Sequence, residues 1–110
     1  MRGPLRELAL SLFLDTGSLF TIVRPTILLR AGYDLSQPRS HIAIVTASGE
    51  DTAPLYVVDE LAALGHRRQN LAVLAYRLPP SLQIDGLLGM NFLRGRRLTV
   101  DFRTGILDLE

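Results

Sequence analysis

The stretch Phe13-Leu14-Asp15-Thr16-Gly17-Ser18-Leu19-Phe20-Thr21-Ile22-Val23 sets a short acidic turn between two apolar runs, and the rest of the chain has to accommodate it. Upstream, Leu8, Leu10, Leu12 and Leu14 alternate with Ala9, Ser11 and Phe13, the period of a strand with two unlike faces. Downstream, Leu19 to Val23 reads as a second apolar strand. Between them Thr16 offers a hydroxyl and Gly17 a backbone without a side chain, so Asp15 can sit in a tight loop, accept hydrogen bonds and face inward. The same residue types also build ordinary hairpin turns. The flanks separate the two readings: a turn tip has polar neighbours, whereas here apolar residues press on the acid from both sides. A carboxylate is costly to bury without a partner or a task, so the chemistry is placed at Asp15.

A chain of 110 residues is read as one domain, 1–110, large enough for a core but too small for two lobes of ordinary size. A site that needs two equivalent halves must then draw them from two chains. Hydrophobic residues make up 47% of the sequence, yet no apolar run approaches the roughly 20 residues of a membrane span. The expectation is a soluble, cytoplasmic protein without a secretion signal and without a membrane partner. Zero cysteines exclude disulfides, zinc-thiolate sites and thiol nucleophiles. All 12 basic residues are arginine, and the absence of lysine removes a P-loop, a Schiff-base lysine and a Ser-Lys hydrolase. Gly-x-Ser-x-Gly does not occur either. A net charge of +1 gives no broad attraction to nucleic acid, and the arginine pairs lack interleaved aromatics. His41 and His66 stand far apart with no second ligand at metal spacing, so both read as surface or strand residues, and neither a metal nor a cofactor is expected.

In order, residues from about Leu5 to Leu14 read as a first strand, followed by the Asp15 loop and a strand from Leu19 to Val23. Pro25 suits the first turn of a helix that Gly32 can close, with Ile27, Leu28 and Ala31 facing a core. His41 to Ala47 and Thr52 to Asp59 form a hairpin with Gly49 near its tip, and Tyr56 to Ala63 returns through Gly65-His66 into Gln69 to Tyr76. Arg67-Arg68 at that turn reads as a solvated rim. Leu78-Pro79-Pro80-Ser81 breaks the sheet. Ile84-Asp85-Gly86-Leu87-Leu88-Gly89-Met90-Asn91-Phe92-Leu93 leads into one or two helical turns ending near Gly95. A closing hairpin follows, with Leu98, Val100 and Phe102 on one side, a turn at Arg103-Thr104-Gly105, and Ile106 to Leu109 returning.

This order of parts resembles a retropepsin-type aspartic protease, and bacterial single-domain members of that group in particular, from about Leu8 to Leu109. The likeness rests on the joint occurrence of Asp15-Thr16-Gly17-Ser18, Thr46-Ala47-Ser48-Gly49 in the hairpin, and Asp85-Gly86-Leu87-Leu88-Gly89 before the short helix. It implies a mainly β, retropepsin-like acid protease fold: a small closed β-barrel of one lobe with one or two short helices. It further implies that Asp15 is the catalytic carboxylate, that Thr16 bonds across a two-fold axis to its copy, and that Gly17 lets substrate backbone approach. Thr46, Ala47, Ser48 and Gly49 would form the flap over substrate, and Leu87, Leu88 and Gly89 would brace the Asp15 loop beneath. Two departures stand out. Ser18 replaces a frequent alanine, and the terminal hairpin replaces the single strand with which retroviral enzymes knit their dimer.

Asp15 lies in the only Asp-Thr-Gly of the chain, so the second carboxylate of such a site must be Asp15 of another copy, which makes a homodimer a condition of activity. The implied activity is endopeptidase cleavage of a peptide or protein substrate by a water activated between the two acids. Leu19, Phe20, Ile44 and Leu87 are candidate pocket walls, though each reads first as a core residue. The alternative is a non-catalytic peptide-binding or dimerisation module on the same fold, since fold does not dictate chemistry.

Overall fold

Alternation along the strands decides which side chains meet. In the computed structural model, which describes residues 1–110, the elements are β1 (Leu12–Leu14), β2 (Thr21–Val23), α1 (Pro25–Ala31), β3 (Ser40–Thr46), β4 (Gly49–Ala63), β5 (His66–Ala75), β6 (Gly86–Leu88), α2 (Met90–Leu93), β7 (Leu98–Asp101) and β8 (Ile106–Leu109). Six strands make one sheet in the order β1-β6-β2-β5-β4-β3, and β7-β8 make a separate hairpin. The fold is mainly β and retropepsin-like, and the expected barrel takes the form of a curled half-barrel whose edges are β1 and β3.

On the central strands, one face feeds the main core and the other a second cluster. Val23, Leu71, Val73 and Ala75 point to the main core with Ile27, Leu28 and Phe92, while Ile22 and Leu74 point the opposite way, to Ala53, Leu78 and Ile84. Phe92 and Leu28 are fully buried, each contributing about 1.5–3 kcal/mol by leaving water. Helix α1 brings Ile27, Leu28 and Ala31 to that core, starts on Pro25, and stops at Gly32, whose φ of 103° suits glycine.

The first strand is shorter than its sequence pattern. Leu8, Leu10, Leu12 and Leu14 all pack on the main core as the alternation requires, but only Leu12–Leu14 join the ladder, parallel to Gly86–Leu88. Upstream, the backbone makes scattered bonds instead: the Met1 ammonium donates to the Leu8 carbonyl at 2.8 Å, the Leu8 N–H returns to the Met1 carbonyl at 2.8 Å, and the Arg2 and Leu5 N–H groups go to the carbonyls of Glu60 (2.8 Å) and Ala31 (3.0 Å). The second strand is likewise trimmed to Thr21–Val23, because the carbonyls of Ser18 and Leu19 accept from α2. In the closing hairpin the turn takes in Phe102 as well, since the Asp101 carboxylate accepts the Arg103 N–H at 2.9 Å and Gly105 turns with φ 74°. Phe102 is therefore 93% exposed and does not share a face with Leu98.

Candidate active site

The Asp15 loop is tied to its neighbouring strand and closed by bonds of its own. The Asp15 N–H donates to the Leu88 carbonyl at 2.9 Å, which ties the loop to β6. The Gly17 N–H donates to Asp15 Oδ1 at 3.0 Å, and the Ser18 N–H to the Asp15 carbonyl at 3.2 Å, so the carboxylate is fixed by its own turn. A Cβ on Gly17 would lie 3.3 Å from Asp15 Oδ1, a tight fit against the carboxylate. The Ser18 hydroxyl donates to the Phe20 carbonyl at 2.6 Å and closes the loop.

Asp15 is half-buried at the edge of a cleft of about 540 Å³. Its walls include the four residues singled out from the sequence, Leu19, Phe20, Ile44 and Leu87, together with Ile22, Ile42, Leu74, Tyr76 and Leu78. Asp15 is the only charged residue among them. Phe20, Ile44 and Leu87 also pack on the second core cluster, so the same side chains serve as core and as pocket wall. Gly17 and Ser18 line the cleft from the loop, and Val45 and Thr46 from the β3–β4 hairpin.

The other hairpin residues sit at the tip. Ala47 and Ser48 form the turn, the Thr46 hydroxyl donates to the Gly49 carbonyl at 2.9 Å, and Gly49 has a φ of 124° with open space around it. Of the tip residues, Thr46 reaches the cleft lining and Ala47, Ser48 and Gly49 do not. Thr16 turns the other way. It is exposed and borders a separate hollow with Leu19, Met90, Leu93 and Leu98.

Beneath the loop, Leu88 is buried in the main core, and Gly89 is packed so closely that a Cβ would lie 2.3 Å from the Phe20 carbonyl. Gly86 is tighter still, at 2.0 Å from the Ile22 carbonyl. Asn91 completes the brace. Its Oδ1 accepts the Thr21 N–H at 2.8 Å and the Thr21 hydroxyl at 2.9 Å, and its Nδ2 donates to the Ala72 carbonyl at 2.6 Å. Thr21 Oγ1 in turn accepts the Gly89 N–H at 3.1 Å.

Two further arginines act on backbone carbonyls. Arg24 donates to those of Ile84 (2.7 Å), Leu78 (2.6 Å), Pro79 (3.0 Å) and Leu82 (2.7 Å), clasping the loop that carries the Leu78 wall. Arg68 is more than a rim charge, since it donates to the carbonyls of Phe92 (3.0 Å) and Arg94 at the end of α2. Sequence reading did not single out Arg24, Thr21 or Asn91. One signal was available: an amide inside the apolar run Leu87 to Leu93 must find partners.

Comparisons with known proteins bear on the fold and the family. No curated protein matches the chain. Among solved structures, it is similar to a retropepsin-like aspartic protease from Rickettsia conorii, at 25% identity and a TM-score of 0.65 over 87% of this chain and 69% of that one. The family model described as aspartyl protease matches residues 3–92. The chain belongs to the aspartyl protease family and has its retropepsin-like form.

Proposed function

We propose that this protein is an aspartic endopeptidase whose site forms when two copies bring their Asp15 loops together. Family membership supports protease function. The observation that carries the finer reading is the placement of Asp15: one carboxylate, fixed by the Gly17 N–H, at the edge of an apolar cleft that a hairpin overhangs. A single acid cannot both take a proton from water and polarise a carbonyl. Two carboxylates at about 4 Å and an effective dielectric near 20 repel by ~4 kcal/mol, so such a pair holds one proton between its members. The ionised member then acts as general base on a bridging water, and the protonated member polarises the scissile carbonyl. Water attacks directly, and no acyl-enzyme forms.

Thr16 faces away from the cleft, with Leu19 (70% exposed) and Met90 (40% exposed) beside it in a hollow that Arg94 and Arg96 also line, and this mixed apolar and basic face suits a second copy. The β7–β8 hairpin adds to it, because a two-stranded sheet exposing Phe102 and Ile106 is marginal alone. Substrate lies extended along the cleft, bonded through its backbone and chosen by apolar pockets, under the Thr46, Ala47, Ser48 and Gly49 tip.

The test is a mixing experiment with Asp15→Asn, which alone is expected to cut no peptide at mildly acidic pH. Re-equilibrated with an equal amount of wild type, it should leave about one quarter of the dimers with two intact acids, so activity per wild-type chain falls by about half. Cleavage by Asp15→Asn alone, or wild-type activity untouched by mixing, refutes the shared site.

A further inference from the structure

We propose that Asp51 and Tyr76 form a latch that holds the β3–β4 flap over the cleft, which makes them positioning residues for the reaction proposed above. β3 pairs only with residues 49–55 of β4, and β5 begins to pair with β4 at Leu55. Residues 40–54 therefore leave the sheet as a two-stranded arm. Apolar contacts of Ile42, Ile44 and Ala53 rest that arm on the second core cluster, but such contacts are non-directional and permit sliding.

One directional bond ties the arm to the body. The Tyr76 hydroxyl donates to Asp51 Oδ2 at 3.1 Å, while Asp51 Oδ1 accepts the Thr52 N–H at 2.8 Å, which orients the carboxylate toward the tyrosine. Outside the β3–β4 ladder, no other hydrogen bond or salt bridge joins residues 40–54 to the rest of the chain. The two ends of the bond sit where a latch must act. Asp51 lies opposite Ile44 in the ladder, and both Ile44 and Tyr76 line the cleft that holds Asp15. The acceptor is a carboxylate oxygen, and the same contact holds the Tyr76 phenol above its ordinary value.

Tyr76→Phe keeps the aromatic wall and removes the bond; Asp51→Asn keeps an acceptor and removes the charge. In Tyr76→Phe, backbone amides of residues 42–53 should exchange with deuterium faster while those of the β4–β5 ladder do not change. On an apolar peptide substrate, KM should rise about fivefold with kcat held, because a closed flap stabilises bound substrate and reacting substrate alike. Asp51→Asn should show the same change in smaller measure, and the double variant should be no worse than Tyr76→Phe alone. Unchanged exchange and unchanged KM in Tyr76→Phe, or effects that multiply in the double variant, overturn the latch. A wild-type protein that cuts no peptide overturns the peptidase reading alone, and the exchange rates still decide the latch.

Discussion

Asn91→Ala tests whether the brace beneath the Asp15 loop is directional or merely packed. The substitution removes one acceptor and one donor, and it strands three groups: the N–H and hydroxyl of Thr21, which is fully buried, and the carbonyl of Ala72. A buried polar group left without a partner costs about 1–3 kcal/mol, and some of this is recovered where water enters the hole, so the expected loss is about 2–4 kcal/mol. Against a typical domain stability of about 5–15 kcal/mol this is large but leaves the chain folded. Urea unfolding at one fixed protein concentration measures it, with the slope unchanged if the native state keeps its compactness. Asn91→Asp is the control: it keeps an acceptor for Thr21 but sets an oxygen where Nδ2 now meets the Ala72 carbonyl, so it too should destabilise. A cycle with Thr21→Val should be less than additive, because both changes cut the same bond. A loss below about 1 kcal/mol for Asn91→Ala, or a strictly additive cycle, would mean that apolar packing alone holds the loop.

Glycines on the two sides of the Asp15 loop should separate activity from stability. Gly17→Ala places a methyl group 3.3 Å from Asp15 Oδ1 and should lower peptide cleavage with a stability change under about 1 kcal/mol, whereas Gly86→Ala meets the Ile22 carbonyl at 2.0 Å and should cost several kcal/mol. Thermal unfolding beside an activity assay gives the order, and the reverse order would contradict the packing described. All three tyrosines are held above their ordinary value of 10.0, Tyr33 and Tyr56 chiefly by desolvation and Tyr76 chiefly by its bond to Asp51. The native state binds these protons more tightly than the unfolded state. The stability they add is therefore fully present below pH 10 and falls as pH rises through the raised native values. Tyrosinate absorbance should show native midpoints above that of the urea-unfolded chain, and coincident midpoints would contradict the burial.

Local pattern carried much of this architecture. The alternation from Leu8 to Leu14 placed the right leucines on the core although most of that stretch pairs with no strand, because burial follows side-chain direction and not the ladder. Pro25 and Gly32 bounded α1, and the turn at Gly65 was legible because the backbone there runs at positive φ. The apolar flanks drew attention to Asp15, and Leu19, Phe20, Ile44 and Leu87 do line a cleft with it. The bonds that fix these parts were not legible. Thr21 and Asn91 are 70 residues apart, Arg24 and the Ile84 carbonyl 60, and Asp51 and Tyr76 25. Nothing local in a sequence marks which distant carbonyl an arginine will clasp.

The loop and the short helix after it solve one problem jointly. A four-residue helix has more orphan backbone donors than internal bonds, and α2 has no side-chain cap, since its N-cap position is Gly89. Its first N–H groups go instead to the Asp15 loop: Met90 to the Ser18 carbonyl at 2.8 Å and Asn91 to the Leu19 carbonyl at 3.0 Å. The loop thereby acts as the cap of the helix, and the helix as the anchor of the loop. Gly89 is what allows them to meet, because any larger residue would strike the Phe20 carbonyl. The Leu87-Leu88-Gly89 segment is thus tied to Asp15 by backbone geometry. Lengthening the loop between Ser18 and Thr21 by one residue would uncap α2 and break the Ser18–Phe20 closure of the loop in the same event, while the Gly17 N–H still holds the Asp15 carboxylate within its own turn.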